Sequence, residues 1–436
     1  MGKGYTFKLK NHIKSLTTSK LLQNSFWAIM GSAILRLAGL IAGIYIARIL
    51  GANLFGAYGV FKNFILSISI LSTFGLGYTA TKFVAENRNS PSIIRDIIKN
   101  SNRATIGLSA CIGGGLFIFS RQVSIYLFQD ENLNYPVKII SVWLFFNAYT
   151  TVQQAYLAGL SLYKPLAKIN SIVGIVTFAL SIGFTKLWSL NGALYALVVA
   201  QMLNCFLNYF KIREYLSSIS EVITEKKLFV YSITGMIKTS FPIILHDLCY
   251  SFFSWLITYL LILKFDYTQV GVYSAGMQWF MIIIYIPGVL RNVVLSTLVS
   301  NNSNDHSVIS KMIAASIFST IIVSMAIIIG QPIITQLYGK NFSNLEEILY
   351  PLIGAAILTS VYNVYAQGLI AKSRYWWVMV CRLACDVLTV IIFLYIGSFF
   401  SKNILSGAEA LSWSLFVAVI FSTILIYIIN RKFKRV

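Results

Sequence analysis

The sequence predicts an all-α integral membrane protein of about twelve transmembrane helices, in two six-helix lobes around a central cavity. Three observations predict it. Apolar residues make up 57% of the 436 positions and charged residues only 11%, so water is not the main solvent of the chain. Apolar runs of the roughly 17–25 residues needed to cross a bilayer core of about 30 Å recur along its whole length. Basic residues collect in alternate gaps between those runs.

The runs fall near 21–46, 57–83, 104–119, 139–162, 169–187 and 192–210, then near 239–263, 271–299, 308–329, 348–370, 375–400 and 406–430. They are continuous, whereas strands of a membrane barrel would alternate over about ten residues, so helices are expected throughout. The first run follows Lys3, Lys8, Lys10, Lys14 and Lys20. It is too long for a signal-peptide core and has no small-residue cleavage site, so it is expected to remain in the mature chain. Pro287 falls well inside the eighth run, where a missing N–H predicts a kink.

A formal net charge of +21 would suggest nucleic acid in a water-soluble chain. With the amino terminus inside, however, the cytoplasmic segments carry 24 Lys or Arg and the outer loops seven, namely Arg48, Arg121, Lys138, Lys186, Lys264, Lys340 and Lys402. That asymmetry places both termini in the cytoplasm of a multi-pass inner (plasma) membrane protein and leaves no need for a nucleic-acid partner. The five cysteines fall inside predicted spans without a CxxC pair, and His12, His246 and His306 are far apart, so no metal site is expected. No loop is long enough to carry catalytic groups, and there is no DxD motif. An enzyme is therefore not expected, and no catalytic residue is assigned.

The longest polar interruption separates the first six runs from the last six. It predicts lobes over 1–215 and 239–436 with a cytoplasmic linker over 216–238. The halves echo each other. LFGAYGVFKNF from Leu54 recurs loosely as QVGVYSAGMQW from Gln269, 215 residues later. QQAYLAGLSLYKP from Gln153 pairs with NVYAQGLIAKSRY from Asn363, each closing the fourth helix of its half. Such a parallel repeat fits a transporter whose two lobes rock about a central site.

ARILGANLFGAYGVF (from Ala47), after a glycine-rich first helix, and FGLGYTATKFVA (from Phe74) resemble the polysaccharide transporter family. These are the Wzx-type flippases of the multidrug/oligosaccharidyl-lipid/polysaccharide exporter (MOP) superfamily. Span number, loop lengths and repeat extend the likeness over essentially the whole chain. The resemblance implies transfer of an undecaprenyl-pyrophosphate-linked oligosaccharide unit to the periplasmic leaflet for O-antigen or capsule assembly. The partners it implies are the lipid-linked substrate, membrane lipids, a polysaccharide polymerase and a chain-length regulator. Gly51, Phe55, Gly56 and Tyr58 are accounted for first by a tight outer turn between helices.

Seven ionisable side chains other than Cys and Tyr fall inside the spans: Arg36, Lys62, Arg291, Arg382, His246, Asp247 and Asp386. A central Arg, Lys or Asp costs about 2.5–3.5 kcal/mol on insertion scales, so each should face a cavity or a partner rather than lipid. Arg36, Arg291 and Arg382 are expected to line a central cavity and hold the pyrophosphate, since Arg forms forked, charge-assisted bonds to phosphate. Lys62 is a further candidate, with snorkelling to the interface as its other reading. Arg382 and Asp386, spaced i, i+4, can neutralise each other, and Asp247 can pair with Arg291. His246, Asp247 and Asp386 are also candidates for proton or sodium coupling, with no cofactor expected beyond such an ion.

Asn147, Gln153, Gln154, Asn204, Asn363 and Gln367 are candidates for sugar hydroxyls, with helix–helix hydrogen bonding an equal account. Tyr149, Tyr362 and Trp279 are candidates for stacking on sugars. Two other transporters remain open: a multidrug cation antiporter, which would need a membrane carboxylate that the first six spans lack, and a lipid II flippase.

Overall fold

The computed structural model describes residues 3–88, 90–218, 233–288, 306–342, 344–371, 374–399 and 405–432. Among them there is no strand. The helices are α1 Lys3–Thr73, α2 Leu76–Glu86, α3 Pro91–Ile118, α4 Ser120–Phe128, α5 Asn134–Gly159, α6 Tyr163–Ser218, α7 Ile233–Lys264, α8 Tyr267–Ile283, α9 His306–Tyr338, α10 Leu345–Ala371, α11 Tyr375–Phe399 and α12 Gly407–Lys432.

Two of these are double passes. Within α1 the chain reverses at Gly51, with φ 71° and ψ 173°, a backbone region open essentially to glycine alone. Within α6 it reverses at Trp188 and Ser189. Helices α3 and α4 meet at a bend of 78° at Phe119 and together take up the third apolar run. With one pass each from α5, α7, α8, α9, α10, α11 and α12, the described helices account for the twelve apolar runs.

Three departures from regular helix matter for the site. The second pass breaks at Phe74 and Gly75, both at positive φ, and α2 continues it. The eighth pass is interrupted at Ile284 and helical again over 285–288. The interruption falls one turn before Pro287, whose ring removes the donor that the Ile283 carbonyl would use. The bend at Phe119 carries α4 across the end of the bundle where Gly51 lies, and Phe128 packs there against Phe61 and Phe64 at ring distances of 4.7 and 5.0 Å.

The lateral surface is apolar. Ile329 is 77% exposed, Ile118 74% and Phe318 67%, an arrangement compatible with lipid and costly in water. The main core gathers at the Gly51 end, where Ile46, Phe55, Phe61, Phe128, Val270, Phe342 and Leu345 bring together α1, α4, α8 and α10. A second cluster, with Leu76, Val84, Ile97 and Tyr156, holds the first-half helices together, and a third around Leu369, Cys381 and Ile426 holds part of the second half.

The Gly51 reversal yields a direct prediction. Alanine there is expected to cost about 1–3 kcal/mol because φ must stay positive. The thermal midpoint of the detergent-solubilised Gly51→Ala variant should fall below that of Gly39→Ala, a site where an added Cβ meets nothing within 4 Å.

Candidate functional site

One cavity of about 770 Å³ lies between helices of the two chain halves. Its wall follows helical spacing. Phe55, Tyr58, Gly59, Lys62, Asn63, Leu66 and Ser67 line it from the second pass, on a stripe that advances by three and four residues. Tyr250, Ser251, Ser254 and Thr258 line it from α7, and Arg382, Cys385, Asp386 and Thr389 from α11. Ser32 and Arg36 come from the first pass, Tyr285 from beyond the α8 interruption, and Thr359 and Asn363 from α10.

The wall obeys the internal repeat. Tyr58, Gly59, Lys62, Asn63 and Leu66 all line it, and so do Tyr273, Ser274, Met277, Gln278 and Met281, each 215 residues further on. Two helices related by the repeat thus present the same face to one space. Charge breaks the symmetry, because Lys62 has Met277 as its counterpart.

Arg382 and Asp386 form the i, i+4 pair expected from their spacing, with Nη2 to Oδ1 at 3.1 Å and Nε donating to Oδ2 at 3.1 Å. The Asp386 side chain is 7% exposed and that of Arg382 33%. The guanidinium also lies over the Tyr250 ring at 4.4 Å, a cation–π contact worth about 0.5–2 kcal/mol depending on desolvation. Arg36 is exposed to the cavity with its Cζ 5.0 Å from the Tyr285 ring centroid, and the Tyr285 hydroxyl shares a 2.8 Å hydrogen bond with Ser32. Lys62 also lines the cavity. Its Nζ sits on the cavity wall, 5.7 Å from the Tyr58 ring centroid.

Among the described lining residues, three cations and one carboxylate leave a net formal charge of +2. In a low-dielectric surround such an excess favours an anion strongly. Arg291 lies outside the described residues, as do the side chains of His246 and Asp247.

Most of the uncharged candidates are engaged in helix packing. Asn147 donates to Ser69 Oγ at 3.0 Å and accepts from Gln201. Asn204 accepts from Asn208 at 2.9 Å, Gln154 donates to Asn170 at 3.4 Å, and Gln153 and Gln367 are buried. Tyr149 accepts from Asn102, and the Tyr362 hydroxyl donates to the Val378 carbonyl. Of the set, only Asn363 lines the cavity. Four tyrosines that residue-by-residue reading left unassigned or structural, Tyr58, Tyr250, Tyr273 and Tyr285, line it instead. For two of them the signal was register: Tyr58 stands four residues before Lys62, and Tyr273 holds the same place in the second half.

Solved structures share this all-helical bundle. A multidrug-resistance MATE-family transporter of the MOP superfamily, inward-facing, superposes with a TM-score of 0.75 at 14% identity, covering 94% of this chain and 98% of that one. A MOP-superfamily transporter from Pyrococcus furiosus, for which reverse polarity of the binding pocket suggests a different function, superposes at 0.67 with 11% identity over 95% of each chain. At these identities the likeness establishes the fold.

A family model described as polysaccharide biosynthesis protein matches residues 21–294, more than half of the chain, and the protein belongs to that family. It is also 19% identical over 288 residues to the EPS I polysaccharide export inner membrane protein EpsE of Ralstonia nicotianae, a match over 62% of this chain. The match spans 63% of the length of that relative. The chain is thus a multi-pass membrane protein of the polysaccharide biosynthesis family, with the fold seen in MOP-superfamily transporters.

Proposed function

We propose that the protein is a flippase that carries undecaprenyl-pyrophosphate-linked oligosaccharide repeat units from the cytoplasmic to the periplasmic leaflet by alternating access, for O-antigen or capsular polysaccharide assembly. The observation that carries this reading is the +2 charge of the cavity wall. A pyrophosphate diester carries about two negative charges, and Arg36 and Arg382 offer forked donors of the kind phosphate oxygens take. The tyrosines and the side chains of Asn63, Ser254 and Asn363 supply hydroxyls, amides and ring faces for the attached sugar, while the lipid tail stays in the bilayer.

In this reading the lobes are 1–215 and 239–436, joined by the 216–238 linker, which lies partly outside the described residues. Both termini are cytoplasmic in the inner membrane and the Gly51 end is periplasmic, a reading that the distribution of Lys and Arg supports. A polymerase and a chain-length regulator receive and extend the unit. Asp386 serves Arg382, so a coupling proton or sodium ion is assigned first to His246 and Asp247 on α7. The relative EpsE, a polysaccharide export protein, favours a glycan cargo over lipid II. Drug-antiporter chemistry fits poorly, because an organic cation would meet a cavity whose carboxylate is already paired.

Proteoliposomes test this proposal. A short-chain polyprenyl pyrophosphate bearing an oligosaccharide should cross at least tenfold faster than in protein-free vesicles, while a lipophilic organic cation moves at the background rate. Accelerated movement of the cation alone would overturn the assignment. Full glycan transport in the absence of proton and sodium gradients would remove ion coupling from it.

A further inference from the structure

We infer that Gly56 and Gly271 form the seal that closes the cavity at the Gly51 end, and that residue size at these two repeat-related positions sets how readily that end opens. The inference rests on the alternating access proposed above. A Cβ on Gly56 would stand 2.8 Å from the carbonyl carbon of Tyr267 and 3.0 Å from the Gly271 nitrogen. A Cβ on Gly271 would stand 2.9 Å from the carbonyl carbon of Ala52 and 3.1 Å from the Gly56 nitrogen. In both cases the carbonyl oxygen is nearer still.

Ala52 and Tyr267 are themselves 215 residues apart, as are Gly56 and Gly271. The contact is therefore the same from either side, as across a two-fold axis. One turn deeper the symmetry holds again: a Cβ on Gly59 would lie 2.9 Å from the Ser274 Cβ. Tyr58 and Tyr273, both buried, lie between these two levels and roof the cavity. Phe55 closes the flank against Phe342, with ring centroids 5.9 Å apart.

What obstructs a side chain at Gly56 or Gly271 is main chain, which cannot rotate out of the way. The second pass and α8 belong to opposite halves, so a methyl group is accommodated only if the halves part at this end. Small residues that let two membrane helices touch along their backbones gain packing and Cα–H···O contacts that any larger side chain removes. The recurring GAYG and GVYS segments thus encode the closed seam as well as a turn.

The test replaces the five native cysteines with alanine and introduces Ser274→Cys beneath the seam, labelled from outside intact cells by a membrane-impermeant maleimide. Gly56→Ala and Gly271→Ala should each raise the labelling rate at least fivefold over the Ser274→Cys parent, and Gly39→Ala should leave it unchanged. Equal rates in all four overturn the inference. Labelling needs no cargo, so this outcome is independent of whether the glycan assignment stands. Should the alanine variants not accumulate, Gly59→Cys with Ser274→Cys decides. Their Cβ spacing is roughly half an ångström short of the 3.5–4.5 Å of a disulfide. Mild oxidation should join them and cut transport at least tenfold, with recovery on reduction, and failure to join or full transport when joined overturns the inference.

Discussion

Replacing Arg382 with methionine is expected to destabilise the folded protein by about 3 kcal/mol, near the lower bound for breaking a buried ion pair. The size of the effect comes from the partner left behind. The Asp386 side chain is 7% exposed and receives two bonds from the guanidinium, so its carboxylate would remain desolvated without the cation that faces it. The lower bound applies because Arg382 itself is one-third exposed to the cavity. Arg382→Met combined with Asp386→Leu should recover most of the stability, since an apolar pair of similar volume replaces two charges that cancel. Transport should not recover, because the double variant still lacks a phosphate donor. Fluorescence-detected size exclusion of heated samples measures the first effect and proteoliposome flipping the second. A double variant that transports normally would reduce Arg382 to a structural role.

Neutralising Arg36 is the second large effect. A charge-assisted hydrogen bond contributes about 1.5–3 kcal/mol, which at 1.4 kcal/mol per factor of ten is a loss of roughly tenfold to a hundredfold. Arg36→Gln should lose that much transport at unchanged membrane level. Its guanidinium lies over a tyrosine ring in the cavity, so folding does not hang on it as it does on the Arg382–Asp386 pair. Arg36→Lys should recover only part of the loss, because an ammonium is a point charge without the planar fork. Lys62→Gln is expected to fall in the same range, as Lys62 is the other cavity cation without a carboxylate on its own helix face. Near-normal transport in both Arg36→Gln and Lys62→Gln would contradict the binding role of the cavity.

Much of this was legible in the residues. Twelve passes follow from the lengths of the apolar runs, and the relation of the halves follows from the offset between Gly56 and Gly271. The Arg382–Asp386 pair follows from helical spacing alone. The facing of Lys62 does not. A membrane helix is apolar toward lipid and toward its neighbours alike, so periodicity cannot say which side carries the cavity. Depth along the span placed Lys62 near an interface, whereas rotation about the helix axis decides that it points inward.

For the same reason, a polar residue in a span reads alike whether it bonds cargo or protein: Asn147 and Gln154 bond to neighbouring helices and Asn204 to Asn208 on its own helix. The tyrosines over which Arg36 and Arg382 lie come from the short helical stretch after α8 and from α7. They are brought there by interhelical packing that no local pattern encodes. The break at Phe74 and Gly75 interrupts a run that reads as continuous, because hydropathy is blind to backbone direction.

The most direct measurement is competition for binding to the purified protein. A short-chain polyprenyl pyrophosphate carrying a fluorescent sugar should bind, be displaced by inorganic pyrophosphate, and lose at least tenfold in affinity in Arg36→Gln. Binding that pyrophosphate does not displace and Arg36→Gln does not weaken would contradict an anion-holding cavity.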